Sequence, residues 1–105
     1  MLNNEYMGLA ARITDMHSCP LTNPGSGNPH VGGPIDGPGV SSVLIKGQPA
    51  AVIGDMCKCA GGPPDQIQSG SGSVYIGGRP AARQNDLTLH GGKITVGCPS
   101  VIIGD

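Results

Sequence analysis

The residues of this sequence best suited to chemistry are three histidines, His17, His30 and His90, and four cysteines, Cys19, Cys57, Cys59 and Cys98. Most are spaced by rule. Counting from an aspartate in each of three similar phrases (Asp15, Asp55 and Asp86), the fourth position on holds Cys19, Cys59 and His90. The second position on holds His17, Cys57 and Thr88. His30 opens His-Val-Gly-Gly as His90 opens His-Gly-Gly. If the three phrases close around one axis, the matching positions converge. Imidazole nitrogen and thiolate sulfur are the donors of tetrahedral zinc, at about 2.0–2.3 Å, and a site closed by four such donors is structural rather than catalytic. Cys98 stands apart from the pattern and reads as a small packed residue.

Other chemistries fit less well. Cys59 and His90 have the types of a nucleophile and its base, yet the chain has no Phe, no Trp and only two Tyr to line a substrate cleft. Catalysis is therefore not expected. Four cysteines allow two disulfides in any of three pairings, which a reducing compartment disfavours. The aspartates recur once per phrase and read as turn residues, whose carboxylates accept backbone N–H groups, or as partners orienting a histidine.

The elements that must position these side chains come from repetition. Leu-Ala-Ala-Arg-Ile-Thr-Asp-Met-His-Ser-Cys (9–19), Pro-Ala-Ala-Val-Ile-Gly-Asp-Met-Cys-Lys-Cys (49–59) and Pro-Ala-Ala-Arg-Gln-Asn-Asp-Leu-Thr-Leu-His (80–90) superpose. Ser-Val-x-Ile recurs at 42–45, 73–76 and 100–103, and Gly-Gly followed by isoleucine at Ile35, Ile67 and Ile94. Short Val, Ile and Tyr runs bounded by Gly and Pro predict β-strands, and no window has the spacing of an amphipathic helix. Nineteen glycines and ten prolines in 105 residues would suit a disordered chain, but their periodicity predicts a defined fold. The expected architecture is a single all-β domain over 1–105: a small pseudo-threefold repeat of short strands and Gly/Pro-rich turns. Residues 1–7 are expected to be loosely ordered, and 20–29 form an insertion in the first repeat. The Val43, Ile45, Val74, Ile76, Val101 and Ile103 strands are expected to supply the inner packing.

A net charge of −1 with six scattered Lys and Arg argues against a nucleic-acid partner, and no apolar run is long enough for a membrane helix. The opening Met-Leu-Asn-Asn-Glu-Tyr-Met-Gly lacks the basic and apolar regions of a signal peptide. Synthesis in the cytoplasm, with export only by a dedicated machine, is the expectation.

Pro49-Ala50-Ala51 and Pro80-Ala81-Ala82-Arg83, with Thr14-Asp15-Met16-His17, Pro29-His30-Val31-Gly32-Gly33-Pro34, Gly54-Asp55-Met56-Cys57 and Leu89-His90-Gly91-Gly92, resemble the PAAR-repeat proteins over nearly the whole chain. Leu9 in place of Pro and Val52 in place of Arg depart from the family phrase. The resemblance implies a short β-cone that caps the trimeric spike protein VgrG of the type VI secretion system, with zinc held near its point by three histidines and one cysteine. Carried onto this chain, those ligands are His17, His30, His90 and Cys59, with Cys57 and then Cys19 as alternatives for the thiolate. It also implies one chain per spike trimer, a monomer when free, attached effectors, transient contact with a target membrane, and release into the medium or a target cell. A stand-alone zinc-stabilised adaptor or a phage-like spike cap is the alternative.

Overall fold

The computed structural model describes residues 8–22, 25–27 and 30–104. The tail at 1–7 lies outside the described residues, as do 23, 24, 28 and 29 of the insertion. Among the described residues there is no helix, as the spacing predicts, and the strands are short: β1 (Gly8–Ala10), β2 (Met16–His17), β3 (Gly33–Gly37), β4 (Val40–Ile45), β5 (Gln48–Ala50), β6 (Met56–Cys57), β7 (Asp65–Gln66), β8 (Tyr75–Ile76), β9 (Arg79–Pro80) and β10 (Cys98–Ile103).

The Ser-Val-x-Ile and Pro-Ala-Ala phrases form three equivalent antiparallel pairs. β4 pairs with β5 and β8 with β9 through two-residue turns. Both central residues of each turn have positive φ, Lys46-Gly47 at 51° and 82° and Gly77-Gly78 at 61° and 83°, the hairpin geometry that glycine permits without strain. The third pair has no turn, because β10 returns to meet β1. Matching residues face each other in all three: Leu44 with Pro49, Tyr75 with Pro80, and Ile102 with Leu9. Each pair is a separate two-stranded sheet, where a proline nitrogen can face away from the ladder at no cost.

The alanines close the ring. The Ala11 N–H donates to Ala82 O at 3.0 Å, that of Ala82 to Ala51 O at 2.9 Å, and that of Ala51 to Ala11 O at 3.0 Å. This triangle of backbone bonds leaves Ala11, Ala51 and Ala82 buried at the centre, where any longer side chain would collide with its two equivalents. The same cycle recurs further out in bridges from Arg12 to Ala50, Val52 to Ala81 and Arg83 to Ala10.

Each aspartate locks the turn that leads into it. Asp15 accepts the Arg12 N–H at 2.9 Å, Asp55 the Val52 N–H at 2.9 Å, and Asp86 the Arg83 N–H at 2.7 Å. Arg12 and Arg83 add guanidinium bonds to the same carboxylates. Val52 cannot, and Asp55 instead takes the Gly39 N–H at 3.0 Å. Within these turns Thr14, Gly54 and Asn85 all have positive φ.

Side chains stack in layers about the axis. Ile45 and Ile103 are buried at one end against partly buried Val74, Ile76 and Val101. Ile35, Ile67 and Ile94 fill the layer beyond the alanine triangle. Val43, expected inside, is exposed, because β4 is irregular between Val40 and Leu44 and loses its inward alternation there. From each aspartate onward the alternation is strict: Met16, Met56 and Leu87 point to solvent, and His17, Cys57 and Thr88 point inward. Those three form the next layer, bridged to Ile94, Ile35 and Ile67 respectively.

Candidate metal centre

Two residues past that inward layer the alternation turns side chains to the axis again, about 6.5 Å further along an extended chain. These are Cys19, Cys59 and His90, one from each repeat. His30 joins them from the end of the first-repeat insertion, held by its N–H to Leu21 O at 2.8 Å and by the Val31–Ala60 bridge beside it. The ligand atoms of Cys19, His30, Cys59 and His90 all lie within 4.8 Å of one another. Cys59 and His30 are buried, and Cys19 and His90 partly so. The imidazoles are inclined at 54° with centroids 5.4 Å apart, so the rings converge rather than stack. Gly62 permits this approach, since a Cβ there would clash with the Cε1 and Nε2 atoms of the His30 ring.

The donor set fits a tetrahedral cation. With bonds of about 2.3 Å to sulfur and 2.0 Å to nitrogen, neighbouring corners stand about 3.5 Å apart. Cys19 Sγ lies 3.5 Å from His30 Nδ1 and 3.4 Å from His90 Nδ1. Without a cation Cys59 is held as a thiol, pushed up to about 11 by burial and then by its hydrogen bond and proximity to Cys19. A bound divalent ion supplies the opposite bias, favouring thiolates.

His17 lies one layer below this cluster. Its Nδ1–H donates to Gly33 O at 2.7 Å, which turns Nε2 towards Asp65 Oδ2 at 3.2 Å, both side chains fully enclosed. The structure therefore brings together His30, Cys59 and His90 of the sequence-derived set and completes the group with Cys19 instead of His17. Cys57 is also one layer down, packed with Ile35 and Ile67, its thiol pushed up to about 12 by burial and then by the charges of Asp65 and Asp55.

Asp65 is the residue that sequence reasoning missed. Its Oδ1 accepts the N–H of His90 at 2.9 Å and of Gln66 at 2.8 Å. Its Oδ2 lies 3.8 Å from His90 Nδ1 as well as near His17. Burial alone would push this carboxyl up. The Thr88 hydroxyl dipole and the two backbone N–H groups outweigh it and hold the group below its usual range. His17 Nε2, Asp65 Oδ2 and Thr88 Oγ1 are buried and reach no well-directed hydrogen bond. The repeat gave no signal for Asp65, because it lies outside the three aligned aspartates. Its position after Gly61-Gly62-Pro63-Pro64 is the one available hint.

A family model described as the PAAR motif matches residues 25–96. That span takes in His30, Cys59, Asp65 and His90 and begins after His17 and Cys19. No curated protein matches the chain.

Proposed function

The chain belongs to the PAAR-motif family, and we propose that it forms the pointed tip of a type VI secretion spike, seated on the trimeric protein VgrG. In this reading it is made in the cytoplasm, exported by the secretion machine, and serves puncture of a target membrane and effector attachment without catalysis.

The observation that carries the reading lies at the end opposite the metal cluster. The variable residue of each Ser-Val-x-Ile phrase is Leu44, Tyr75 or Ile102, and their exposures are nearly equal at 60%, 60% and 62%. Three large apolar side chains at equivalent positions, each on the same register of an equivalent strand pair, make a threefold apolar surface from one chain. Such a surface suits a true threefold partner, and burying it would protect strand edges otherwise open to aggregation.

At the other end, Cys19, His30, Cys59 and His90 would hold zinc. The bound ion would supply a crosslink among segments far apart in sequence, and binding of about 10–16 kcal/mol in small structural sites counts as folding free energy. Four protein donors leave no open position for a reacting water, in keeping with a structural centre.

The test is co-purification with a VgrG trimer. One chain per three spike chains is expected, and Tyr75→Asp should abolish association while leaving metal content and melting temperature unchanged. A 3:3 ratio, or association unaffected in a Leu44→Asp, Tyr75→Asp, Ile102→Asp triple variant, would overturn it.

A further inference from the structure

The cluster at the apex carries two thiols, and a pair of thiols has a chemistry that a single one lacks. Cys19 and Cys59 come from different repeats, yet their Sγ atoms are among the donors lying within 4.8 Å of one another. The other cysteines are separated from this pair. Cys57 packs among the isoleucines one layer below, and Cys98 belongs to the apolar cluster at the opposite end. Cys19 is also reachable: it lines a surface hollow with Pro20, Leu87, Gly92 and Lys93. Cys59 lines a separate hollow with Pro34, Lys58 and Pro64.

We propose that Cys19 and Cys59 are a disulfide site, closed by a two-electron oxidant of the hydrogen peroxide class when the metal is absent. This rests on the metal-centre reading only for the condition under which the thiols are free. The more accessible Cys19 sulfur attacks the peroxide, the O–O bond breaks, and a sulfenic acid and one water result. Cys59 sulfur then attacks that sulfur, the S–O bond breaks, and a second water leaves with the Cys59 proton. Two thiols are oxidised and one peroxide is reduced to two waters. The apex is then tied in either of two ways: by an ion joining all three repeats, or by a covalent bond joining the first and second. A bound metal blocks the reaction by occupying both sulfurs. A protein made in a reducing compartment and delivered to an oxidising one would meet the conditions for each state in turn.

The sequence makes the test clean, because trypsin places every cysteine on its own peptide: residues 13–46 for Cys19, 47–58 for Cys57, 59–83 for Cys59 and 94–105 for Cys98. The full-length reduced chain is stripped with a chelator, treated with hydrogen peroxide, and measured by intact mass and by peptide mapping, beside a zinc-reloaded sample. The expected result is a loss of two hydrogens in the stripped protein, a crosslink of 13–46 to 59–83, and a several-fold slower reaction with zinc. Cys57→Ser should crosslink as the wild type does, and Cys59→Ser should not. A crosslink through 47–58, or sulfinic acid on Cys19 without any crosslink, would overturn the inference. Metal content is read separately on the reduced protein. One zinc per chain with no 13–46 to 59–83 link defeats the disulfide site and leaves the metal centre standing. The link without any zinc binding does the reverse.

Discussion

The two ends of the molecule solve different problems with one repeat. At the base and waist the main jobs are done three times by equivalent atoms: three strand pairs, three alanines in a hydrogen-bonded triangle, three inward isoleucines. At the apex threefold symmetry is insufficient, because a tetrahedral ion needs four donors. The three repeats supply Cys19, Cys59 and His90, and the insertion in the first repeat supplies His30. Symmetry thus builds the frame, and a deliberate departure from it completes the site. Thr88, His17 and Cys57, in the layer between, mark where apolar identity gives way to polar chemistry.

This contrast is most directly broken by removing the metal. The waist has backbone bonds and apolar layers of its own, whereas the apex has turns, few apolar contacts and the four-donor cluster of Cys19, His30, Cys59 and His90. Chelation should lower the melting temperature by at least about 15 °C, since each kcal/mol corresponds to about 4–8 °C in a domain near this size and structural zinc is worth about 10–16 kcal/mol in small sites. Hydrogen exchange should show where: the hydrogen-bonded amides of Ser18, Ala60 and His90 should lose protection well before those of Ala11, Ala51 and Ala82. Uniform loss across both ends would mean that base and apex are one cooperative unit and that the distinction has no energetic content.

The converse experiment damages the waist and spares the apex. Ala51→Leu forces a branched side chain into the alanine triangle, against buried Ala11, Ala82 and the isoleucine layer. Overpacking of this kind costs about 1–3 kcal/mol, and the crowding of three equivalents puts the expected value near about 3 kcal/mol by denaturant melts. Metal stoichiometry should stay at one per chain. A neutral effect would show that the triangle tolerates expansion and that the alanines are there for another reason.

Much of the frame was legible because it is written in repeats. Ala-Ala, the aspartate three places after a backbone N–H it accepts, and the Ser-Val-x-Ile strands each recur with one physical task, so three weak local signals add to a strong one. The aligned column of Cys19, Cys59 and His90 was equally legible. Family resemblance drew His17 into the ligand set instead of Cys19, since the family uses three histidines and this chain has only three. What a one-dimensional alignment does not convey is height along the axis: His17 and Cys19 both face inward but belong to successive layers. Asp65 was illegible for a related reason. It repeats nowhere, and its importance arises from being enclosed beneath His90, which burial decides and spacing does not.

That difference in height can be tested by an effect smaller than either change above. Replacing Cys19 by Ser should remove one of two thiolates, which cobalt reports directly: the sulfur-to-cobalt charge-transfer band of the cobalt-loaded protein should fall to roughly half, because its intensity follows the number of bound thiolates. His17→Asn should leave that band and the one-per-chain stoichiometry unchanged. Its effect should be limited to affinity, through Asp65, whose Oδ2 faces His17 Nε2 at 3.2 Å while Oδ1 holds the His90 N–H at 2.9 Å. Loss of such an outer partner weakens metal binding by about 10–100-fold, measurable by competition with a chromophoric chelator. Asp65→Asn should weaken it comparably, and the double variant should be little worse than either single one, since both act through the same His90 contact. If instead His17→Asn abolishes binding and Cys19→Ser leaves the cobalt spectrum untouched, the ion sits one layer lower than the cluster of Cys19, His30, Cys59 and His90, and the apex and the polar layer beneath it exchange roles.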